Sequence, residues 1–232
     1  MTKVELELLQ REDQYLFIER AIRGGVSTIT KRWATANHPG VPNYNPNQEL
    51  SHLLYIDSNN LYGWSMSQFL PTHGFRWLTQ EEITKLVISN ISDEATTGYF
   101  FEVDLKYPDS LHVAHNDYPL AAEHLSIEGE ILSPFQQQTY PKSKLQPCTK
   151  LAPNLFDKKK YILHYRNLKF YLEQGMILEK VHRVLEFQQS PWLKNYIDFN
   201  TERRTESTSA FGKDFFKLMN NAVFGTYPNY CI

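Results

Sequence analysis

Hydrophobic positions along the chain fall in blocks whose period changes, and each block predicts a different element. The first 50 residues open with a short helical stretch and pass into HPGVPNYNPNQE at 38–49, whose prolines and asparagines predict an irregular loop. Leu53, Leu54, Tyr55 and Ile56 are consecutive apolar residues ending at Asp57, which predicts a buried strand. SNNLYGW at 58–64 then breaks the extended pattern. The stretch from Gly74 to about Asp93 reads as helical and exposed. In YFFEVDLKYP at 99–108, Phe100, Glu102, Asp104 and Lys106 alternate with Tyr99, Phe101, Val103 and Leu105, the period of a half-buried strand that Pro108 closes.

From Asn154 the period lengthens. Tyr161, Tyr165, Leu168 and Leu172 recur at i, i+4, i+7 and i+11, which predicts a helix with Asn154 as N-cap and Gly175 at a left-handed C-cap. MILEKVHRVLEF at 176–187 predicts a strand, and Ser190-Pro191 reads as the N-cap and first residue of a helix through WLKNYIDF at 192–199. A last helix is expected from about Phe211 to Phe224, with Phe215, Leu218, Met219 and Ala222 on its packing side. Strands and helices in blocks predict an α+β fold.

Composition narrows the class. With 232 residues, 41% apolar and 22% charged, the chain can bury a core of one domain or two small ones. Fourteen Tyr, fourteen Phe and four Trp suit a packed interior and equally suit stacking on bases. A formal charge of −2 argues against a free-standing binder held to nucleic acid mainly through phosphates. Cys148 and Cys231 stand far apart without zinc spacing, which points to a reducing, intracellular setting. No apolar run approaches the roughly 18 residues of a membrane span, and the polar, acidic MTKVELELLQREDQ is unlike a signal peptide. A soluble, non-secreted protein that keeps away from membranes is expected.

Two groups of residues carry candidate chemistry. A carboxylate at a strand end followed by a turn is held rigidly beside free backbone groups, so Asp57 and the carbonyl of Ser58 can ligate Mg²⁺, with the amides of Asn60, Leu61 and Tyr62 as a nest for phosphates. Local pattern alone fits Asp57 as a turn cap and Tyr62 as core, since strand-end aspartates are common. Lys213, Lys217 and Asn221, at i, i+4 and i+8, share one face of the last helix and suit a polyphosphate, or else form a solvated basic stripe. Phe224-Gly225 ends that helix with a ring and a point of close approach. Arg203 and Arg204, at the end of a preceding loop, add phosphate contacts or a solvated turn. Glu81-Glu82 and Asp93-Glu94 read as solvent-facing charge.

DSNNLYG at 57–63 and KLMNNAVFG at 217–225, separated by 160 residues, resemble in order the motifs A and B of family B DNA polymerases, D-x-x-S-L-Y-[PG] and K-x-x-x-N-[SA]-x-[YF]-G. HNDYPLAAEHL at 115–125 and KLAPNLFDKKKYILHYRNLKFYLEQGM at 150–176 resemble the protein-primed polymerases of Polinton or Maverick elements and related viruses. The resemblance covers the chain from about Ser51 onward. It implies a partial palm with an antiparallel sheet, helical fingers and an inserted subdomain: a flanking segment at 1–50, palm with motif A at 51–73, insertion and palm strands at 74–150, fingers with motif B at 151–225, and an end at 226–232.

By the same resemblance Asp57 is the first ligand of a two-metal Mg²⁺ site and Tyr62 the steric gate against ribonucleotides. Lys217 contacts the triphosphate, with Lys213 and Arg204 beside it, and Asn221, Phe224 and Gly225 line the nascent pair. Primer-template DNA, deoxynucleoside triphosphates and a terminal priming protein are the implied partners, in the nucleus or at sites of viral replication. Asn60 stands where the family has Ser, and Phe224 where many members have Tyr. Motif C, a Tyr-x-Asp-Thr-Asp hairpin that supplies further carboxylates, is not in the sequence. The chain alone is therefore expected to bind nucleotide weakly if at all and to be inactive, as a fragment or as a non-catalytic remnant with a nucleic-acid or protein-binding surface. A third reading places a metal on His112, His115 and Asp117, in a stretch expected to be loop, with Glu123 and His124 nearby.

Overall fold

The computed structural model describes residues 2–24, 26–127, 132–139 and 148–225. Its strands are β1 (Leu70–Trp77), β2 (Thr97–Lys106), β3 (Glu123–Ile127), β4 (Cys148–Ala152), β5 (Lys158–His164) and β6 (Ile177–Ser190). Pairing is antiparallel throughout, in one sheet of order β1-β6-β2-β5 and a separate ribbon of β3 with β4. The helices are α1 (Glu12–Ala21), α2 (Leu61–Met66), α3 (Gln80–Lys85), α4 (Asp109–His115), α5 (Pro134–Thr139), α6 (Tyr165–Glu173), α7 (Lys194–Glu206) and α8 (Ala210–Gly225). The fold is α+β, as the blocks of pattern predict.

Period-2 alternation builds the sheet. Phe101, Val103 and Leu105 of β2, Tyr161 and Leu163 of β5, and Val184 of β6 bury one face against Tyr165 and Leu168 of α6. The intervening positions are covered too. Ile162 and Leu185 pack with Phe17 of α1, whose ring meets Trp77 edge-on at 4.8 Å. Fully burying a side chain such as Phe17 contributes about 1.5–3 kcal/mol. Glu102 lies on this second face, paired with Arg20 (2.8 Å) and Arg183 (2.8 Å). Burial opposes its ionisation, but Arg183 and Arg20 outweigh burial and hold the carboxyl below its usual range. The ribbon is tied on by Lys158, fully buried, whose Nζ binds Glu123 at 2.8 Å and the Asn154 side chain.

Several expectations are corrected. Residues 53–56 form no strand and are exposed, from 64% at Leu53 to 94% at Tyr55. Strand formation needs a backbone partner, and none of the described residues pairs with this run. The stretch from Gly74 is not helical at first: Leu70–Trp77 is β1, bulged near Gly74 (φ +73°), and helix is confined to α3 and a short turn at Ile88–Asn90. Asn154 caps no helix. Residues 158–164 satisfy the edge of β2 as β5, and the helical stripe starts only at Tyr165. Gly175 does take the left-handed conformation (φ +95°) after α6. Ser190 is spent on the ladder, opposite Leu70, so α7 begins at Lys194 and carries Arg203 and Arg204 in its last turn rather than in a loop. On α8, Phe215, Leu218 and Ala222 of the expected packing side are exposed, while Phe216, Met219, Asn220 and Val223 turn inward. Residues 109–115 are helix α4, not loop. Glu82 closes a capping box with Thr79, and Asp93 pairs with Lys169 (2.9 Å) and Arg166 (3.5 Å), while both stay solvent-facing as expected, at 40% and 54% exposed. The end at 226–232, with Cys231, lies outside the described residues. Among the described residues no helix is long and apolar enough to cross a membrane.

Candidate functional site

Helices α7 and α8 pack together through polar pins. Tyr196 donates its hydroxyl hydrogen to the Met219 carbonyl (3.0 Å), and Asn220 Nδ2 reaches Thr201 Oγ1 (3.4 Å). The connection is tight: a Cβ on Gly212 would sit 2.9 Å from Ser207 Oγ. These contacts fix the register of α8 on α7 and bring Arg204 of one to the same side as Lys217 of the other.

The opposite wall is the segment before and including α2. Asn60 adopts left-handed backbone (φ 52°, ψ 46°), a conformation asparagine tolerates better than most residues, and its carbonyl accepts from Trp64 N (2.9 Å) to start the helix. Its side chain folds over Gly63, where a Cβ would lie 2.2 Å from Nδ2. Any side chain at 63 would therefore displace the Asn60 amide. Helix α2 packs against both α7 and α8, which sets the distance between the walls.

Between them lies an open cleft of about 600 Å³. Asp57, Ser58, Asn60, Leu61 and Tyr62 line it from the α2 side, and Arg204, Lys217, Asn220 and Asn221 from the α7–α8 side. A second lobe of about 550 Å³ shares Asn59, Asn60, Arg204 and Asn220 and adds Trp64. Among the described residues neither Arg204 nor Lys217 forms an ion pair, and the Asp57 carboxylate has no cationic partner. Unpaired charges of both signs thus converge on one volume. Cations opposite a carboxylate suit a ligand that carries anionic groups and a bound cation together.

Of the residues singled out in the sequence, Asp57, Ser58, Asn60, Leu61, Tyr62, Arg204, Lys217 and Asn221 line this cleft. Lys213, one turn before Lys217, is exposed and does not line it. Arg203 instead pairs with Glu206 (3.1 Å). Phe224 and Gly225 fall within α8, but their side-chain environment lies outside the described residues. The sequence does not single out Asn59 or Asn220. Asn220 is 5% exposed and lies i+3 from Lys217, on the helical neighbour row that a stripe counted only at i+4 overlooks.

The Asp57 carboxylate on the cleft wall suits a hard cation that fills its remaining positions with other oxygens, from phosphate and water. Among the described residues no group of three His, Cys, Asp or Glu side chains is arranged to hold a metal. In the histidine stretch, His115 Nδ1 is hydrogen-bonded to the Tyr107 hydroxyl (2.8 Å) and His112 lies 3.8 Å from Asp109.

No protein-family model and no curated protein matches the chain. Among solved structures, the chain is similar to Phi29 DNA polymerase in its orthorhombic crystal form, at 15% identity and a TM-score of 0.49 over 97% of this chain and 33% of that one. It is also similar to the binary complex of that polymerase with primer-template DNA (17% identity, TM-score 0.40, 75% and 25% covered). The ternary complex with primer-template DNA and incoming nucleotide substrates gives 18% identity and a TM-score of 0.38 over 75% and 26%. The chain spans between about a quarter and a third of the length of those polymerase chains.

Proposed function

We propose that this chain forms the nucleotide-binding part of a DNA-directed DNA polymerase of the protein-primed family B kind, of the Polinton/Maverick or related viral type. The observation that carries the reading is the convergence of Asp57 with Arg204 and Lys217, distant in sequence, on one cleft where each lacks a protein counter-charge among the described residues. That residues of both segments line the same cleft supports the reading.

In this reading the reaction joins a primer hydroxyl to the α-phosphorus of a deoxynucleoside triphosphate and releases pyrophosphate. Magnesium, when bound, neutralises charge on the triphosphate and the attacking oxygen. Asp57 and the Ser58 carbonyl would hold it. Lys217 and Arg204 hold the phosphate tail from the other wall, as a point charge and as a planar fork. The amides that open α2 after the left-handed turn at Asn60 donate, in this reading, to phosphate oxygens. Tyr62 closes the sugar side and excludes a 2′-hydroxyl. Asn221, with Phe224 and Gly225 beyond it on α8, borders the base. Helices α7 and α8 take the part of fingers, and primer-template DNA and a terminal priming protein are the partners.

Titration of the chain with dATP and Mg²⁺, followed by NMR of backbone amides, tests this. Saturable, Mg²⁺-dependent shifts at 57–62 and 217–221 with an affinity in the millimolar range are expected. Asp57→Asn removes the Mg²⁺ dependence, and Lys217→Ala and Arg204→Ala each weaken binding by roughly three- to tenfold, since each deletes one solvent-accessible charge-assisted contact. Shifts that ignore Mg²⁺ and all three substitutions overturn the assignment.

A further inference from the structure

A second cleft of about 480 Å³ lies away from the Asp57–Lys217 cleft, where the turn after α1 meets the β5–α6 corner. Its body is apolar and aromatic, with Phe100, Leu163 and Tyr171 among its walls. Arg23 stands in it half-buried, its guanidinium 3.8 Å over the Tyr161 ring. One nitrogen, Nη1, donates to the Ile162 carbonyl (2.6 Å) and the Ala21 carbonyl (3.2 Å). This contact caps the free edge of β5 and fixes the guanidinium plane. Nε and Nη2 have no partner among the described residues, and no carboxylate lies within ion-pair distance. The guanidinium is thus held by two carbonyls and the Tyr161 ring, with Glu123 as an opposite charge only at longer range, while Nε and Nη2 stay open to solvent and can take an anion in place of water.

The neighbouring polar groups are donors as well. His164 lines the cleft, and its Nδ1 accepts from Arg166 N (3.4 Å), which leaves the ring proton on Nε2, without a protein acceptor among the described residues. Asn167, in the first turn of α6, adds an exposed amide at the rim. The unpartnered N–H groups on Nε and Nη2 and an imidazole N–H beside an apolar slot complement a flat ring that ends in an oxyanion.

We propose that this cleft binds a planar aromatic ligand bearing a carboxylate or phosphate, with Arg23 as the anchor for the anion and Phe100, Leu163 and Tyr171 enclosing the ring. Nothing in this site depends on the polymerase reading, and the failure of either leaves the other standing. The probes are 2-naphthoate, 2-naphthyl phosphate and the neutral isostere 2-naphthamide, titrated into the 232-residue chain by NMR. Saturable shifts at Arg23, His164 and Asn167 are expected with the anions, and about tenfold or more weaker binding with the amide, for the loss of two charge-assisted hydrogen bonds. The tighter of the two anions identifies the carboxylate or phosphate source. Arg23→Gln weakens the anions to the level of the amide, and Arg23→Lys restores part of the loss. Ala122→Phe fills the slot and abolishes binding of all three. Because Arg23 also caps β5, thermal melts accompany the variants, while the comparison of anion with amide on the unaltered chain needs no variant at all. Equal affinity for naphthoate and naphthamide, or no saturable shift at these residues with either anion, overturns the proposal.

Discussion

Replacing His164 with glutamine should remove a specific acid sensitivity of the fold. His164 ends β5 and caps α6, with its ring 4.5 Å from Tyr165 and 5.4 Å from Phe100. Burial, and secondarily the charge of Arg166, push its pKa down to about 4, with Asp93 opposing only in part. In the unfolded chain the same group titrates near about 6.5. Between those two values the unfolded state carries more protons than the folded one, so stability falls as pH falls. The slope approaches about 1.4 kcal/mol per pH unit, and the accumulated loss relative to pH 8 is about 2 kcal/mol at pH 5 and about 3 kcal/mol at pH 4. Glutamine keeps an acceptor for Arg166 N but does not titrate. It gives up some packing at every pH, so the informative quantity is the difference between the two proteins. Urea unfolding monitored by tryptophan fluorescence at pH 7.5, 6.5, 5.5 and 5.0 measures it. The variant should gain about 2 kcal/mol on the original chain across that range. Glu102, Asp93 and Asp104 titrate in both proteins and largely cancel. Stability curves that run parallel to within about 0.5 kcal/mol would refute the half-buried, neutral state of His164.

Glu102→Gln should cost about 1–2 kcal/mol in urea unfolding, less than the 3–5 typical when a charge is left buried, because Arg20 and Arg183 are 54% and 43% exposed and can rehydrate. A cost above about 4 kcal/mol would mean that the arginines cannot relax. Gly175→Ala places a Cβ at a positive φ and 3.1 Å from Leu111, and should lower stability by about 1–2 kcal/mol, read as a lower thermal midpoint; an unchanged midpoint would contradict the left-handed turn. Tyr62→Ala should leave dATP binding within about twofold and raise ATP binding toward it, whereas an unchanged preference in the NMR titration counts against a sugar gate.

The legible parts of the fold are those whose signal is local. β2 shows in the alternation of Phe101, Val103 and Leu105, and α8 in its sustained apolar period. The end of α6 shows in a glycine that takes φ +95°. What the sequence hides depends on partners. Leu53–Ile56 has strand composition but no ladder among the described residues. Tyr161 and Tyr165 stand four apart, as on a helix, yet the first belongs to a strand and the second to the helix that follows, so two elements share one apparent stripe. Ser190-Pro191 has the chemistry of a helix start, but β1 claims Ser190 as a ladder residue. At the cleft, Asp57 and Lys217 are visible as motif residues. Asn220 is visible only through packing, because an asparagine that pins one helix to another carries no motif of its own.

The most direct test replaces Mg²⁺ with Mn²⁺. Paramagnetic broadening of amide resonances, recorded with Mn²⁺ and dATP together and with each alone, reports where the cation sits. With both present, broadening should centre on Asp57 and Ser58, extend to Lys217 and Asn221 across the cleft, and disappear in Asp57→Asn. Broadening centred instead on His112 and His115, or spread evenly over the acidic surface, would contradict the convergence of these two walls on one metal-bound triphosphate.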